Sequence, residues 1–146
     1  MDGYVLRGGA TPELLQMRRT GVVLNQTWQP VMGHVEDGES SIDCLWRELS
    51  EECSLDRKVV VGAWALEQVH PYYLAVRDEI VMSPRFLVEV ESGWEPVLNH
   101  EHDAHRWVPL ADAEASFMWP GQHGVIAEIR GLRSPGSLSE QALRIL

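Results

Sequence analysis

An α+β protein, with a mixed sheet packed between helices, is the expectation from this 146-residue chain. Three features lead there. Short apolar runs of strand type recur between Tyr4 and Val108, one strongly capped helix interrupts them, and the C-terminal third turns helical. Strands therefore outnumber helices and come in mixed order. The length suits a single domain, residues 1–146, with one sizeable core.

Tyr4-Val5-Leu6 reads as a short strand, Gly8-Gly9 with Pro12 as a turn, and Leu14 to Arg18 as a second strand, making a hairpin. Trp28 to Met32 is extended, with Pro30 marking an edge or an irregular stretch. After a turn at Asp37-Gly38, Ser40 stands in N-cap position with Asp43 three residues on, opening a helix over Ser41 to Cys53. Val59 to Val61 and Trp64 to Val69 read as strands, bent or bulged near Gly62. Ile80 to Met82 and Arg85 to Val90 give the clearest β segment, interrupted by Pro84, and Arg106 to Val108 is a last short strand. Helices are expected over Ala111–Phe117, Gln122–Leu132 and Ser137–Ile145, the last after the Ser134-Pro135-Gly136 break.

The formal net charge of −10 argues against a nucleic-acid backbone as the main partner. Such a protein can still bind phosphates if metal ions or a few placed arginines carry the positive charge. Cys44 and Cys53 lie nine residues apart on one helix, about 13.5 Å and half a turn out of phase, so they cannot bridge each other. Unbridged thiols suit a reducing compartment. No apolar run approaches the roughly 20 residues of a membrane span, and the N-terminus lacks a signal-peptide pattern. A cytoplasmic protein is the expectation.

The helix over Ser41 to Cys53 holds the most informative chemistry. With Glu48 at zero on a helical wheel, Glu52 falls at about +40° and Glu51 at about −60°. Ile42, Leu45 and Leu49 fall between about +60° and +120°, so the core-facing stripe lies beside the acidic patch, at the edge of a cleft. Like charges at these spacings repel, and the repulsion grows as water is removed. A hard divalent cation with oxygen ligands relieves it, and Mg²⁺ commonly bridges such ligands to substrate phosphates. A solvated acidic helix face is the plainer reading of the three glutamates alone.

The flanks decide between the two. Gly33, Glu39, Arg47, Glu48, Leu49, Glu51, Glu52 and Leu55 stand in the register Gly-x5-Glu-x7-Arg-Glu-U-x-Glu-Glu-x-Gly-U, where U is bulky and aliphatic. This stretch resembles the signature of the Nudix hydrolases. One position departs: Ser54 stands where the family has glycine, at a helix C-cap, and a left-handed serine there costs roughly 1 kcal/mol. The resemblance implies an α/β/α sandwich with a mixed sheet and a Mg²⁺ cofactor, with Mn²⁺ as a substitute. It implies Glu51 and Glu52 as metal ligands, Glu48 as a ligand or the base, and the Gly33 carbonyl as a further ligand. Glu39 and Arg47 would pin the loop to the helix.

Asn99 to Val108 narrows the likeness. Glu101-His102, before the Trp107 strand, is similar to a segment of the dATP and dihydroneopterin triphosphate pyrophosphohydrolases that supplies another carboxylate, and Trp28-Gln29 before the glycine is similar too. On that resemblance Glu101 is a further ligand or the general base, and Arg18, Arg19 and Trp28 bind substrate. Tyr72, Tyr73 and Trp119 are other rings able to stack on a base, although each suits a core equally. His100, His102 and His105 are closely spaced but lack a nearby cysteine for a zinc site.

The implied function is Mg²⁺-dependent pyrophosphohydrolysis of a nucleoside triphosphate or a pterin triphosphate. A dinucleoside polyphosphate or nucleotide-sugar hydrolase stays open, as does a non-catalytic nucleotide-sensing module. The implied partner is thus a small molecule rather than a membrane, and a homodimer is allowed.

Overall fold

The computed structural model describes residues 1–146. In chain order the elements are β1 (Asp2–Arg7), β2 (Glu13–Arg19), β3 (Trp28–Gln29), β4 (Val31–Met32), α1 (Ser41–Cys53), β5 (Val60–Ala65), β6 (His70–Leu74), β7 (Glu79–Ser83), β8 (Arg85–Val90), β9 (His102–Pro109), α2 (His123–Leu132) and α3 (Leu138–Ala142). Single 3₁₀ turns occur at Arg57–Val59, Ala113–Ser116 and Pro120–Gln122.

β9, β2, β1, β8 and β5 lie side by side, and only the β1–β8 pair is parallel. β9 covers one edge of β2 along its length, and β8 covers one edge of β1. The facing edges of β1 and β2 pair only near their hairpin, at Leu6↔Leu14 and Arg7↔Glu13. Beyond that the two strands diverge, and the short strands on either side of Pro30 fill the fork. β3 pairs the end of β2 and β4 pairs the start of β1. Proline cannot donate to a ladder, which is why the pairing changes partner at Pro30. The fork delivers Gly33 to the start of the loop that leads into α1.

Side-chain alternation along the strands makes two cores. Val5, Leu15, Met17, Ala63, Phe86, Val88 and Val90 face α1, whose Cys44, Leu45, Leu49 and Cys53 are buried against them. Tyr4, Leu6, Leu14, Trp64 and Leu87 point the other way onto Val125, Ile126, Ile129 and Leu132 of α2. This is an α/β/α sandwich. Fully burying Leu45 and Leu49 stabilises it by roughly 1.5–3 kcal/mol each. The α1 layer sits so close that a Cβ on Gly3 would come within 2.8 Å of Leu45 Cδ1.

The helix over Ser41–Cys53 forms as the capping pattern implies. Ser40 Oγ accepts from the Asp43 backbone N–H at 3.1 Å, and Ser54 closes the helix in the left-handed region at φ 54°. Elsewhere the structure corrects the reading. Ile42 is 40 % exposed despite its place on the apolar stripe, because a wheel gives direction but not how far the opposing sheet extends. The segments at Val59 and Trp64 form one strand, β5, which ends at Ala65 and has a register shift between Val60 and Gly62. Residues His70–Leu74 pair with β7 in a separate hairpin. β9 starts at His102, four residues before Arg106. The helix expected over Ala111–Phe117 is only a 3₁₀ turn, and the last one stops at Ala142. Ile145 N–H then donates to Ala63 O at 2.8 Å, and Ala63 N–H to Leu146 O at 3.1 Å, so the tail joins β5 instead. No helix is long and apolar enough to cross a membrane.

Candidate active site

A cleft of about 630 Å³ opens beside α1, at the fork between β1 and β2. Glu48 and Glu52 reach it from the helix, Gly33 from the loop after β4, Arg19 from the end of β2 and Glu101 from the segment before β9. Glu52 is only 3 % exposed, and its Oε2 has no hydrogen-bond partner. Burial, then the charges of Glu48 and Glu101, push its pKa up to about 8. Burial also raises that of Glu48, against the opposing pull of Arg47. Three carboxylates from two distant chain segments therefore share one cleft, with Glu52 the most deeply buried.

Glu48 approaches the loop so closely that a Cβ on Gly33 would overlap its side chain, so any larger residue there would displace Glu48 from its place in the site. The Gly33 carbonyl accepts from the Met1 nitrogen at 2.6 Å. Arg47 stands between loop and helix. Its Nε and Nη2 bind the two oxygens of Glu39 at 2.9 and 3.0 Å, Nη2 also donates to His34 O at 3.0 Å, and Nη1 reaches Glu48 Oε1 at 2.8 Å. The bidentate pair with Arg47 holds the Glu39 carboxyl at a pKa of about 2.

Not every expected site residue enters the cleft. Glu51 is 56 % exposed along its side chain and turns toward Arg47 at 3.3 Å, outside the cleft lining. Arg18 and Trp28 are register partners on the sheet face opposite Arg19, because neighbours along a strand point to opposite sides. There Arg18 pairs with Asp103 at 2.7 Å, and Trp28 carries the Arg106 guanidinium 4.2 Å over its ring. Of the stacking candidates, Tyr72 lines the cleft, whereas Tyr73 and Trp119 do not. His102 is buried beside Arg19, while His105 pairs with Glu95 at 3.1 Å, so the histidines serve separate neighbourhoods. Gln29, named with Trp28 in the sequence, also lines the cleft, and Asp2, Ser83 and, from the β7 strand, Val81 and Met82 complete it without having been singled out there. Asp2 left one sign, an acid heading an otherwise buried strand.

The donor set suits a hard divalent cation: oxygen ligands, excess negative charge and one sealed, unpartnered carboxylate oxygen at its centre. It is not preassembled. No three acidic, histidine or cysteine groups converge on one point, since Arg47 holds Glu48 and Glu51 and Arg19 holds Glu101 at 3.1 Å. The more exposed Arg47–Glu51 and Arg19–Glu101 contacts are cheap to exchange, each worth about 0–1 kcal/mol, whereas Glu48 is more deeply set.

A family model described as the NUDIX domain matches residues 3–129. The chain is 34 % identical to the asymmetrical bis(5'-nucleosyl)-tetraphosphatase of Sus scrofa, over 59 % of this chain and 58 % of that protein. It thus spans rather less than two thirds of the curated relatives it matches. Among solved structures, a Caenorhabditis elegans Ap4A hydrolase in a binary complex superposes with a TM-score of 0.73 at 20 % identity, covering 88 % of this chain and 92 % of that one. The Escherichia coli dihydroneopterin triphosphate pyrophosphohydrolase superposes at 0.72 and 19 %, over 88 % and 94 %. At these identities the likeness shows a shared fold.

Proposed function

Because the chain belongs to the Nudix family, we propose that it hydrolyses a phosphoanhydride bond in a nucleoside-linked polyphosphate with the help of bound divalent cations. The observation that carries this reading is Glu52, a buried carboxylate with an orphan oxygen, close enough to Glu48 and Glu101 to feel their charge, in a cleft that Arg19 also lines. Nudix hydrolases generally use a divalent metal, and we take Mg²⁺ as the ion. When bound, it neutralises phosphate oxygens and acidifies the attacking water.

The residues divide the remaining work. Glu52, through its unpartnered oxygen, and Glu51, once free of Arg47, would hold the ion, with the Gly33 carbonyl as a neutral oxygen ligand. Glu48 or Glu101 takes the proton from the attacking water, and both lie near enough to Glu52 to raise its pKa. Arg19 exchanges Glu101 for a substrate phosphate, as its planar guanidinium allows. Arg47 and Glu39 hold the loop in register and touch no reacting atom.

Two substrate classes fit. The sequence relatives favour a dinucleoside polyphosphate. The placement of Glu101 beside Glu52 favours a nucleoside or pterin triphosphate, the class that segment resembles. A panel of both classes and nucleotide sugars, assayed with Mg²⁺ and analysed by product mass, separates them. Glu52→Gln should abolish turnover of whichever substrate is cleaved. Unchanged turnover by that variant sinks the assignment, and inactivity across the panel favours a non-catalytic nucleotide-sensing module.

A further inference from the structure

Glu101 reaches the cleft from a turn, not from the interior of a helix or strand, so its direction has to be set by neighbours. The sheet alone does not set it. The β2–β9 ladder slips at its end: Arg18 faces Ala104 and Arg19 faces His102, so Asp103 is passed over in a bulge. Bulges re-aim the side chains beside them. Glu101 precedes this irregularity and lies just outside β9. A carboxylate on such a segment needs a second anchor if it is to stand beside Glu52.

Asn99 supplies that anchor. Its backbone N–H donates to Glu52 O at 3.2 Å, its side-chain Oδ1 accepts from the Glu101 N–H at 2.9 Å, and its carbonyl accepts from the His102 N–H at 3.4 Å. Just before it, the Val97 N–H donates to Cys53 O at 3.1 Å. The last carbonyls of a helix have no partner within it, so Val97 and Asn99 cap α1 at the turn that carries Glu52. The side-chain bond closes an Asx turn, which fixes the amide of the next residue but one relative to the asparagine. A single residue therefore joins the backbone of Glu52 to the backbone of Glu101. On the other side, the Glu101 carbonyl accepts from the Thr20 N–H at 2.7 Å and from Thr20 Oγ at 3.1 Å, next to Arg19. Thr20 ties the segment to β2. Asn99 ties it to α1, and so refers Glu101 to the helix carboxylates.

We propose that Asn99 is a positioning residue for hydrolysis, holding Glu101 at the distance and angle from Glu52 that the reaction requires. It touches no reacting atom and acts through Glu101. Alanine at this position would keep the backbone bond to Glu52 but remove the acceptor for the Glu101 N–H, releasing the turn where it carries the carboxylate. A misplacement of about 1 Å at such a group can cost on the order of a hundredfold in rate. An asparagine that served the turn alone would weaken folding without any special link to Glu101. The inference rests on the reading that Glu101 serves hydrolysis as ligand or base.

The first measurement needs no substrate: hydrogen exchange at the Glu101 amide of the full chain, followed by NMR in chelator. Asn99→Ala should speed that exchange roughly fivefold or more, and Asn99→Asp, which keeps the acceptor, should hold it within about twofold. The second is a kinetic cycle with Glu101→Gln on whichever substrate is cleaved. Asn99→Ala should lower kcat about tenfold or more with KM within about twofold, and Asn99→Asp should restore most of the loss. In the Glu101→Gln background the alanine change should cost less than about twofold. Unchanged exchange in a folded Asn99→Ala variant overturns the proposal, as do equal losses of kcat in the two backgrounds. Should the alanine variant fail to fold, Asn99→Ser, whose hydroxyl closes the same turn more weakly, replaces it. An unaltered protein that cleaves nothing counts against the hydrolase reading, and the exchange experiment then decides the placement by itself. Turnover with additive losses counts against this inference alone.

Discussion

Glu52→Gln should make the metal-free protein more stable above neutral pH while depriving it of its response to divalent cations. The size follows from the burial of this carboxylate. Its pKa stands at about 8 in the folded chain, against an ordinary value of 4.5. Below pH 4.5 the group is protonated in both states and contributes no difference. Between pH 4.5 and 8 the folded protein binds the extra proton, so stability falls as pH rises. Above pH 8 the whole cost is present: three and a half decades at about 1.4 kcal/mol each, about 5 kcal/mol in all. Glutamine is nearly isosteric and never charges, so the variant escapes this fall. Urea unfolding at pH 5 and pH 8.5 in chelator measures it. The difference between the two proteins should change by several kcal/mol across that range, and other titrating groups cancel in the comparison. Added Mg²⁺ at a hundred times its dissociation constant should return about 2.7 kcal/mol to the unaltered protein and nothing to the variant. Parallel pH profiles for the two proteins would show that Glu52 is ionised without penalty, and the cation argument would fall with that result.

Three more expectations concern other parts of the molecule. Arg19→Ala should raise KM at least about tenfold through loss of a charged phosphate contact, whereas Arg18→Ala, on the opposite sheet face, should leave KM within about twofold; equal effects in steady-state kinetics would contradict the placement of the two side chains. Ser54→Gly relieves a left-handed serine but loses the Ser54 Oγ–Val97 O bond of 3.0 Å, so its unfolding free energy should change by less than about 0.5 kcal/mol. Leu45→Ala should cost about 2–5 kcal/mol in chemical denaturation, since the side chain is fully buried between α1 and the sheet.

Local physics explains which features could be read in advance. The bounds of α1 follow from Ser40, Asp43 and the left-handed Ser54, all of which act within one turn of the helix end. The same spacing put Glu48 and Glu52 at a cleft edge, because helical pitch fixes their direction. β6 was missed because its residues are mostly exposed and carry no alternation, and its pairing with β7 is made away from the main sheet. Glu51 shares the acidic patch by spacing, but its rotamer is set by Arg47 across one turn, a choice that no wheel contains.

Arg18, Arg19 and Trp28 mark the boundary most sharply. Residue identity and spacing establish a family signature, a capped helix and the supply of carboxylates and arginines, because these depend on neighbours along the chain. Which arginine meets the carboxylates depends on the face β2 turns toward α1, and that is set by the packing of Leu15 and Met17 against the helix. The Asp2–Ser83 contact joins residues 81 positions apart through the parallel β1–β8 pairing. Such long-range register is decided when two cores close on both faces of one sheet, and no local run of residues encodes it.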